Sequence, residues 1–182
     1  MAKKKTTTKQ STRSVVTDPI VSSAHLASGR SAELSEFEYG MIIASNAFNR
    51  WAVRCMSAAG MKDMTIMDVL VLHHINHRAR EKKLSDIAFT LNIEDLHVVN
   101  YSLKKLVGRG LVKTDRRGKE VLYSTNAAGQ ALCKKYFEVR ERVLVANLTG
   151  TGTEKFELSE LARFLRMLSG LYDQAARAAT AL

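Results

Sequence analysis

Apolar residues at helical spacing dominate the early part of the chain. From near Ser31 or Ser35 to about Ala59 they recur every three or four positions: Leu34, Phe37, Met41, Ala44, Phe48, Ala52, Cys55 and Ala59. This spacing predicts one long helix that ends at Gly60, and Ser35 followed by Glu38 predicts a capping box at its start. Four more apolar residues lie on other faces: Ile42, Ile43, Trp51 and Met56. We therefore expect this helix to be covered on several sides.

Two shorter helices are predicted next. Thr65, with Asp68 three residues later, predicts the cap of a second helix that runs to about Arg80. Its apolar face consists of Ile66, Val69, Leu70, Leu72 and Ile75. After a charged turn, residues 84–91 predict a third helix, with Ser85 as its cap.

A fourth helix and a two-stranded ribbon follow. The helix begins at Ile93 or Glu94, with Asp95 as a candidate N-cap, and it ends before Gly110, which is typical of a C-cap. Gly118 then separates two runs that favour strands and predicts a tight hairpin. A short helix, a turn, a longer helix and a ribbon, in this order, are typical of a winged helix-turn-helix, which presents a helix to the major groove of DNA.

The fourth helix divides into an apolar and a polar side. Val99, Leu103 and Leu106 follow spacings of four and three, which predicts an inward stripe with Val98 and Val107 at its edges. Polar and cationic residues lie largely on the other faces: His97, Asn100, Tyr101, Lys104, Lys105 and Arg109. Such side chains can reach base edges and phosphates: an asparagine pairs with adenine, and lysine or arginine binds guanine or phosphate.

The same segment is strongly basic. Between Leu96 and Lys119 there are seven cations and one acid, Asp115. The cations are Lys104, Lys105, Arg109, Lys113, Arg116, Arg117 and Lys119, and the last three flank the ribbon tip. A charged helix face, or a basic hairpin, is by itself usually no more than a solvated surface. The order of the two, with a C-cap glycine between them, favours DNA binding with strong salt dependence.

Two long helices are predicted after the ribbon. Thr125 or Asn126 caps the first, which runs to about Leu148, and a turn at 150–153 precedes the second, from about Glu154 to Ala179. The last helix has apolar residues at alternating spacings of three and four: Leu158, Leu161, Leu165, Leu168 and Tyr172. A repeat of about 3.5 residues is typical of helix pairing. We expect these residues to form a homodimer that places two recognition helices on a palindrome.

The net charge of the 182-residue chain is +10, which favours an anionic partner. The N-terminal tail contributes six cations, Lys3, Lys4, Lys5, Lys9, Arg13 and Arg30, against one acid, Asp18. The remainder of the chain therefore carries +10 − 5 = +5, so the tail alone does not explain the basic character. Residues 1–30 are rich in Lys, Thr and Ser, and we expect a flexible basic arm.

Several classes of protein are disfavoured. No apolar run approaches about 18 residues, and no apolar segment follows the basic N-terminus, so neither a membrane span nor a secretory signal is expected. Phosphate-binding glycine loops, nucleophile elbows and paired catalytic carboxylates are absent from the sequence. We therefore expect a cytoplasmic protein that is not an enzyme and needs no cofactor.

The cysteines and a cluster of histidines are candidates for a sensing role. Cys55 and Cys133 fall in apolar helical segments, which favours core packing over a disulfide or a reactive thiolate. His73 and His77 share a helix face and His74 adjoins them, but no further ligand is evident in the sequence. A surface or interface cluster is the preferred interpretation, and a metal site is the alternative.

The order of these segments resembles the MarR family of bacterial regulators over about residues 32–178. The resemblance rests on the sequences Leu84-Ser-Asp-Ile-Ala, Leu103-Lys-Lys-Leu-Val-Gly-Arg-Gly-Leu-Val112 and Ser124-Thr-Asn-Ala-Ala-Gly129. It implies a first helix at 31–62, a winged helix-turn-helix domain at 63–126 and dimerisation helices at 127–182. It also implies a homodimeric transcription regulator, usually a repressor, that binds double-stranded DNA and responds to a small-molecule effector.

The resemblance also assigns DNA-binding residues. The recognition positions are His97, Asn100, Tyr101, Lys104 and Lys105, and the wing positions are Arg116, Arg117 and Lys119. Two other functions remain open. A protein that coats DNA without sequence preference would depend on the basic tail, and an adaptor would use its winged helix to bind protein. The regulator, the DNA-coating protein and the adaptor differ in the salt dependence of DNA binding and in the preference for one DNA sequence.

Overall fold

A computed structural model describes residues 19–28, 32–148 and 157–182, apart from the side chain of Ala79. The chain divides into two compact units, residues 1–49 and 50–182. The described helices are α1 (Ala32–Ala58), α2 (Ile66–Asn76), α3 (Leu84–Thr90), α4 (Leu96–Gly108), α5 (Ala127–Val143) and α6 (Leu158–Ala179), and the strands are β1 (Lys82–Lys83), β2 (Val112–Arg117) and β3 (Glu120–Thr125). The predicted fold class, mainly helical with a winged helix-turn-helix and a small wing, is confirmed.

The first unit contains a 3-10 turn, Ala24–Ser28, and the N-terminal two thirds of α1. The hydroxyl of the buried Ser35 donates a hydrogen bond to the carbonyl oxygen of Leu26 at 2.7 Å. The predicted capping box at Ser35 is therefore wrong, because this residue lies within the helix and its hydroxyl is used elsewhere. The predicted arm falls largely on residues 1–18 and 29–31, which lie outside the described residues.

One hydrophobic core organises the second unit. The C-terminal end of α1 and the helices α2 to α4 contribute its most deeply buried apolar side chains: Cys55, Met56, Val69, Val71, Leu72, Ile75, Ile87, Val99, Leu103 and Leu106. The predicted inward stripe of α4 is thus confirmed. Val98 is an exception, because it is 41% exposed and lies outside the stripe. Cys55 and Cys133 are both buried, as predicted.

The wing is part of a three-stranded antiparallel sheet in the order β1-β3-β2. Strands β2 and β3 pair from Val112 opposite Thr125 to Arg117 opposite Glu120. Gly118 in the intervening turn has φ +62°, a left-handed conformation that glycine adopts without steric cost. Strand β1 was not predicted, because two lysines show no alternation from which a strand can be inferred.

Local hydrogen bonds at the helix ends agree with several predictions. Thr65 forms the predicted capping box: its N–H donates to the Asp68 carboxylate at 2.8 Å, and the Asp68 N–H donates to its hydroxyl at 3.2 Å. The Asp95 carboxylate accepts from the N–H of His97, as expected of the N-cap of α4. At the other end of α4, Gly110 has φ +68°, as required of the residue that follows the C-cap.

Four predicted helix boundaries are wrong. Helix α4 begins at Leu96 rather than at Ile93 or Glu94. Helix α2 ends at Asn76 rather than Arg80. The Lys82 ammonium donates hydrogen bonds at 2.7 Å to the carbonyl oxygens of His74, in the last turn of α2, and of His77, just after it. Helix α3 is capped by Lys83, so Ser85 lies inside it. Helix α5 ends at Val143, before a 3-10 turn over Val145–Asn147. The turn predicted at 150–153 and the start of the last helix lie outside the described residues.

Helix α5 approaches the sheet through a glycine. A Cβ atom added to Gly129 would lie 2.2 Å from the carbonyl oxygen of Leu111. Asn126, the N-cap of α5, binds this region from both sides: its side-chain oxygen accepts from the Gly129 N–H, and its amide donates to the carbonyl oxygen of Gly110. Only a residue without a side chain fits here, which links the start of α5 to the end of α4.

Gly129→Ala is expected to destabilise the protein by about 3 kcal/mol, because backbone must move to relieve the overlap. Gly108→Ala is the control, since a Cβ there meets nothing within 4 Å and alanine favours helix. Urea unfolding followed by circular dichroism measures both free energies of unfolding. Equal stabilities of the two variants would contradict the close approach.

Candidate DNA-binding interface

The surface of α4 that faces away from the core carries polar residues selected from the sequence. His97, Tyr101 and Lys104 are exposed, and Asn100 is half-buried. At 70%, Tyr101 is the most exposed of the large apolar side chains of α4. An imidazole, an amide, a phenol and an ammonium group therefore lie on one accessible helix face. These groups suit base edges and phosphates.

The helices α3 and α4 also carry exposed apolar residues that were not selected as site residues from the sequence. Leu96 opens α4 and is accessible, as is Val98. On α3, Phe89 is 87% exposed. The spacing held a signal for Phe89, because it lies two residues beyond the buried Ile87 and hence on the opposite side of the helix. Apolar groups at this surface suit the methyl group of thymine.

Lys105 occupies a different environment from Lys104. Its ammonium group donates to the Asp68 carboxylate at 2.6 Å and to the carbonyl oxygen of Asp63 at 2.8 Å. The Asp68 side chain is 1% exposed, so this ion pair lies at the edge of the core. Lys105 was predicted to bind DNA. In the structure its ammonium group lies toward α2 and the turn before it.

Arg109 also contacts the turn between α1 and α2. Its guanidinium donates to the carbonyl oxygen of Lys62 at 2.8 Å and lies 3.2 Å from the sulfur atom of Met61. A longer contact of 3.5 Å reaches the carbonyl oxygen of Asp63. Both basic residues in the last turns of α4 therefore bind backbone oxygens of residues 62–63.

The surroundings of Asp68 keep it ionised. Burial alone raises the pKa of a carboxyl group, but the hydrogen bonds from Lys105 and from the Thr65 N–H, together with the nearby Ser102 and Thr65 hydroxyls, outweigh this effect. The net result is a pKa of Asp68 below its ordinary value. A folded-state pKa below the unfolded one stabilises the protein above the unfolded pKa, and this stabilisation is lost as the pH falls through the folded pKa.

Asp68→Asn is expected to lower the free energy of unfolding at pH 7 by about 3 kcal/mol, because Lys105 loses its buried partner. The difference between wild type and variant should shrink as the pH falls below the ordinary aspartate pKa of about 4 and through the lower pKa of the folded state, because the wild-type carboxylate becomes protonated there. Urea unfolding across this pH series measures it. A pH-independent difference would contradict an ionised Asp68.

The three cations of the wing differ in whether they form ion pairs with neighbouring acids. Arg117 donates to Glu81 at 2.6 Å and to Asp115 at 2.9 Å, so its charge is largely balanced by neighbouring acids. Arg116 and Lys119 are exposed, and neither forms an ion pair within the described part of the chain. The sequence showed the three cations as equivalent. In the structure, two of them remain available to an external anion.

The cysteines and the histidine cluster lie away from this face. Burial raises the pKa of the Cys55 thiol and raises that of Cys133 to about 11, which disfavours a thiolate at either position. His73 packs edge-on against Tyr136 with ring centroids 4.4 Å apart, and burial lowers its pKa. No group of three or more potential metal ligands occurs among the described residues. His73 is thus largely a packing residue.

A cavity of about 570 Å³ opens between α2 and α5. His73 and Asn76 line it from α2, while Tyr136 and Arg140 are among its residues from α5. The pocket combines aromatic, amide and cationic groups and has the size of a small-molecule site. None of these residues was selected as a ligand contact from the sequence, where the effector site stayed unassigned.

Helix α6 has an apolar stripe at the surface of the single chain. Leu158, Leu161 and Leu165 are 55%, 45% and 40% exposed, and no residue of α6 is buried. Leu168 is half-buried, and Tyr172 is at the limit of exposure. The residues predicted for dimerisation therefore share one accessible helix. Among the described helices, none has both the length and the apolar character needed to cross a membrane.

Comparison with known proteins agrees with this architecture. Residues 64–129 match the family described as winged helix DNA-binding domain. Reduced AbfR bound to DNA is 20% identical with a TM-score of 0.60, covering 75% of this chain and 94% of its own. A MarR mutant from E. coli complexed with operator DNA is 18% identical with a TM-score of 0.58, covering 79% and 98%.

A further structure, a MarR family transcription regulator, is 12% identical with a TM-score of 0.59, covering 85% of this chain and 98% of its own. The sequence has no match among the curated proteins. At these identities the comparisons show a shared fold. The resemblance to the MarR family predicted from the sequence is confirmed at the level of the fold, and residues 64–129 are similar to a winged helix DNA-binding domain.

Proposed function

We propose that this chain is a sequence-specific transcription regulator, a homodimeric repressor of the MarR type that binds a palindromic operator. The observation that supports this most strongly is the exposed polar face of α4 within a winged helix DNA-binding domain. Two of the structures with this fold were determined in complex with DNA. Folds host varied functions, so the residues of the face carry the argument.

The contacts divide by side-chain chemistry. We assign base-edge contacts to His97, Asn100 and Tyr101, since these groups are accessible on α4 and Asn pairs with adenine. Lys104 serves a phosphate, because its ammonium is exposed on the same face. Arg116 and Lys119 at the wing tip serve phosphates beside the recognition helix. Phosphate contacts supply affinity, and base contacts supply sequence preference.

A second copy of the chain is the proposed partner of α6. Its exposed leucines recur at spacings of three and four, the pattern by which helices pair. An accessible stripe of this kind, 22 residues long, is unfavourable in water unless covered. Pairing related by a two-fold axis would give the two α4 helices the symmetry of a palindrome.

A small-molecule effector is proposed to occupy the cavity between α2 and α5. The lining presents the Tyr136 and His73 rings together with the Arg140 guanidinium, a combination suited to a small aromatic anion. Helix α2 also carries Asp68, which binds the recognition helix through Lys105. A ligand that shifted α2 against α5 would thereby disturb the DNA-binding face.

A second candidate is a protein that coats DNA without sequence preference. The net charge of +10 and the basic N-terminal tail favour it. An adaptor that binds protein through its winged helix is the third. A protein that coats DNA should bind all DNA sequences with equal affinity, and salt should weaken that affinity to the same extent for each of them. An adaptor should have little affinity for DNA.

Binding of the purified protein to fragments from its own upstream region, with random DNA as competitor, tests the proposal. One fragment should survive competition. Asn100→Ala should weaken binding to that fragment by about 30-fold or more, because each subunit of the dimer loses a base contact of about 1–3 kcal/mol, with little effect on random DNA. Fluorescence anisotropy measures both affinities. Equal affinity for all fragments would indicate a protein that coats DNA without sequence preference. Absence of DNA binding even at low salt would indicate that the winged helix binds a partner other than DNA.

Lys104→Met should lower the slope of log affinity against log salt by about two, because a dimer loses two phosphate contacts. Lys135→Met is the matched control, since Lys135 is an exposed lysine on α5, outside the helix-turn-helix. The salt series that measures affinity supplies both slopes. Equal slopes for wild type and Lys104→Met would remove Lys104 from the DNA contacts.

Leu165→Glu should convert the dimer to a monomer and abolish operator binding, because a charge would enter the apolar helix pair. Gln174→Glu adds the same charge nine residues away, on the opposite side of α6, and should leave the dimer intact. Sedimentation velocity measures the mass. A Leu165→Glu dimer would show that α6 does not form the interface.

A further inference from the structure

The basic residues of the recognition helix fall into two sets with different surroundings. Lys104 is exposed and has no ion-pair partner within the described residues. The ammonium of Lys105 lies 2.6 Å from the buried Asp68 carboxylate. The guanidinium of Arg109 lies against the backbone of residues 62 and 63. The sequence KK at 104–105 therefore separates into one outward and one inward charge.

We propose that Lys105 and Arg109 are positioning residues that hold the recognition helix on the α1–α2 turn, and that they do not bind DNA. The inference rests on the proposed function and assigns a role to two cations within it. The turn is formed by residues 61–65, between the end of α1 and the capping box of α2. We call these contacts the α4 clamp.

The number and direction of the hydrogen bonds support the clamp. Lys105 donates to two acceptors, the Asp68 carboxylate and the Asp63 carbonyl oxygen, at 2.6 and 2.8 Å. An ammonium group has three donors, and these two contacts direct the group toward the protein. Moving it to a phosphate would leave Asp68, whose side chain is 1% exposed, as a buried charge without its cation. That loss opposes any such movement.

The backbone of the turn is shaped to receive both cations. Asp63 has φ +59°, in the left-handed region that aspartate tolerates better than most residues. In this conformation its carbonyl oxygen accepts from Lys105 at 2.8 Å and lies 3.5 Å from Arg109. Lys62 and Met61 supply two further contacts to Arg109. Lys105 in the last turn of α4 and its C-cap residue Arg109 are thereby both bound to one turn.

A buried ion pair need not add much stability, because apolar replacement of both partners is often neutral. It does fix geometry, since a charge pair has one favourable arrangement whereas apolar contacts tolerate sliding. Here the pair sets the rotation of α4 about its axis. That rotation decides where Asn100 and Lys104, five and one residues before Lys105, point. The clamp thus acts on sequence preference through other residues.

The test compares Lys105→Met with the double variant Asp68→Asn/Lys105→Met. The double variant removes both charges and keeps an oxygen acceptor for the Thr65 N–H, so it should fold even where the single variant leaves a bare charge. If the clamp positions α4, the preference for operator over random DNA should fall by about tenfold in both variants, a change similar to the loss of one base contact. The salt slope stays at the wild-type value.

A phosphate-binding Lys105 predicts the opposite pair of results. The salt slope would fall by about two, as expected for Lys104→Met, and the operator preference would be unchanged. That outcome overturns the proposal. Arg109→Gln is measured in the same way and should follow the same pattern, with a smaller loss because its contacts lie at the exposed end of the helix.

Hydrogen exchange provides a readout that does not depend on DNA. Amides of residues 61–65 and of α4 should exchange faster in Asp68→Asn/Lys105→Met than in wild type, with Lys104→Met as the matched control that changes nothing there. Unchanged exchange overturns the clamp even if DNA binding is confirmed. If wild type prefers no DNA sequence, the proposed function fails, and the exchange result alone decides the clamp.

Discussion

The ionised carboxylate of Asp68 connects three parts of the second unit. It accepts from the N–H of Thr65 and so closes the first turn of α2, and it binds the ammonium of Lys105 on α4. A carboxylate with 1% exposure is stable only when such partners are present together. The α1–α2 turn, the start of α2 and the recognition helix must therefore form as one arrangement, on which the exposed face of α4 depends.

Much of the fold follows from local patterns. The stripe Val99, Leu103 and Leu106 is buried because its spacing leaves one side of α4 to face the core. Thr65 and Asp95 cap their helices because each side chain reaches an N–H within its own first turn. Signals of this kind involve neighbours in sequence, so they can be recognised before any tertiary structure is known.

Long-range contacts explain most of what the sequence did not indicate. Ser35 has the pattern of a cap, but its hydroxyl binds Leu26, nine residues earlier. Lys105 has the pattern of a solvated cation, but its partner Asp68 lies 37 residues away. The two-residue strand β1 exists only because β3 is beside it. In each case the deciding partner is brought close by the fold, and no periodicity of the segment itself records it.

Contacts formed by the fold also reduce the number of cations in the basic segment, residues 96–119, that are available to bind phosphates. Its seven cations suggest a uniformly attractive surface, yet Lys105, Arg109 and Arg117 bind groups of the protein, which leaves 7 − 3 = 4. Counterion release depends on the cations that reach phosphates, and those used internally contribute nothing to it. Internal pairing therefore lowers nonspecific affinity while keeping the helix oriented. Both effects serve the function proposed above, because a regulator must leave random DNA to find one site and its specificity is a ratio of the two affinities.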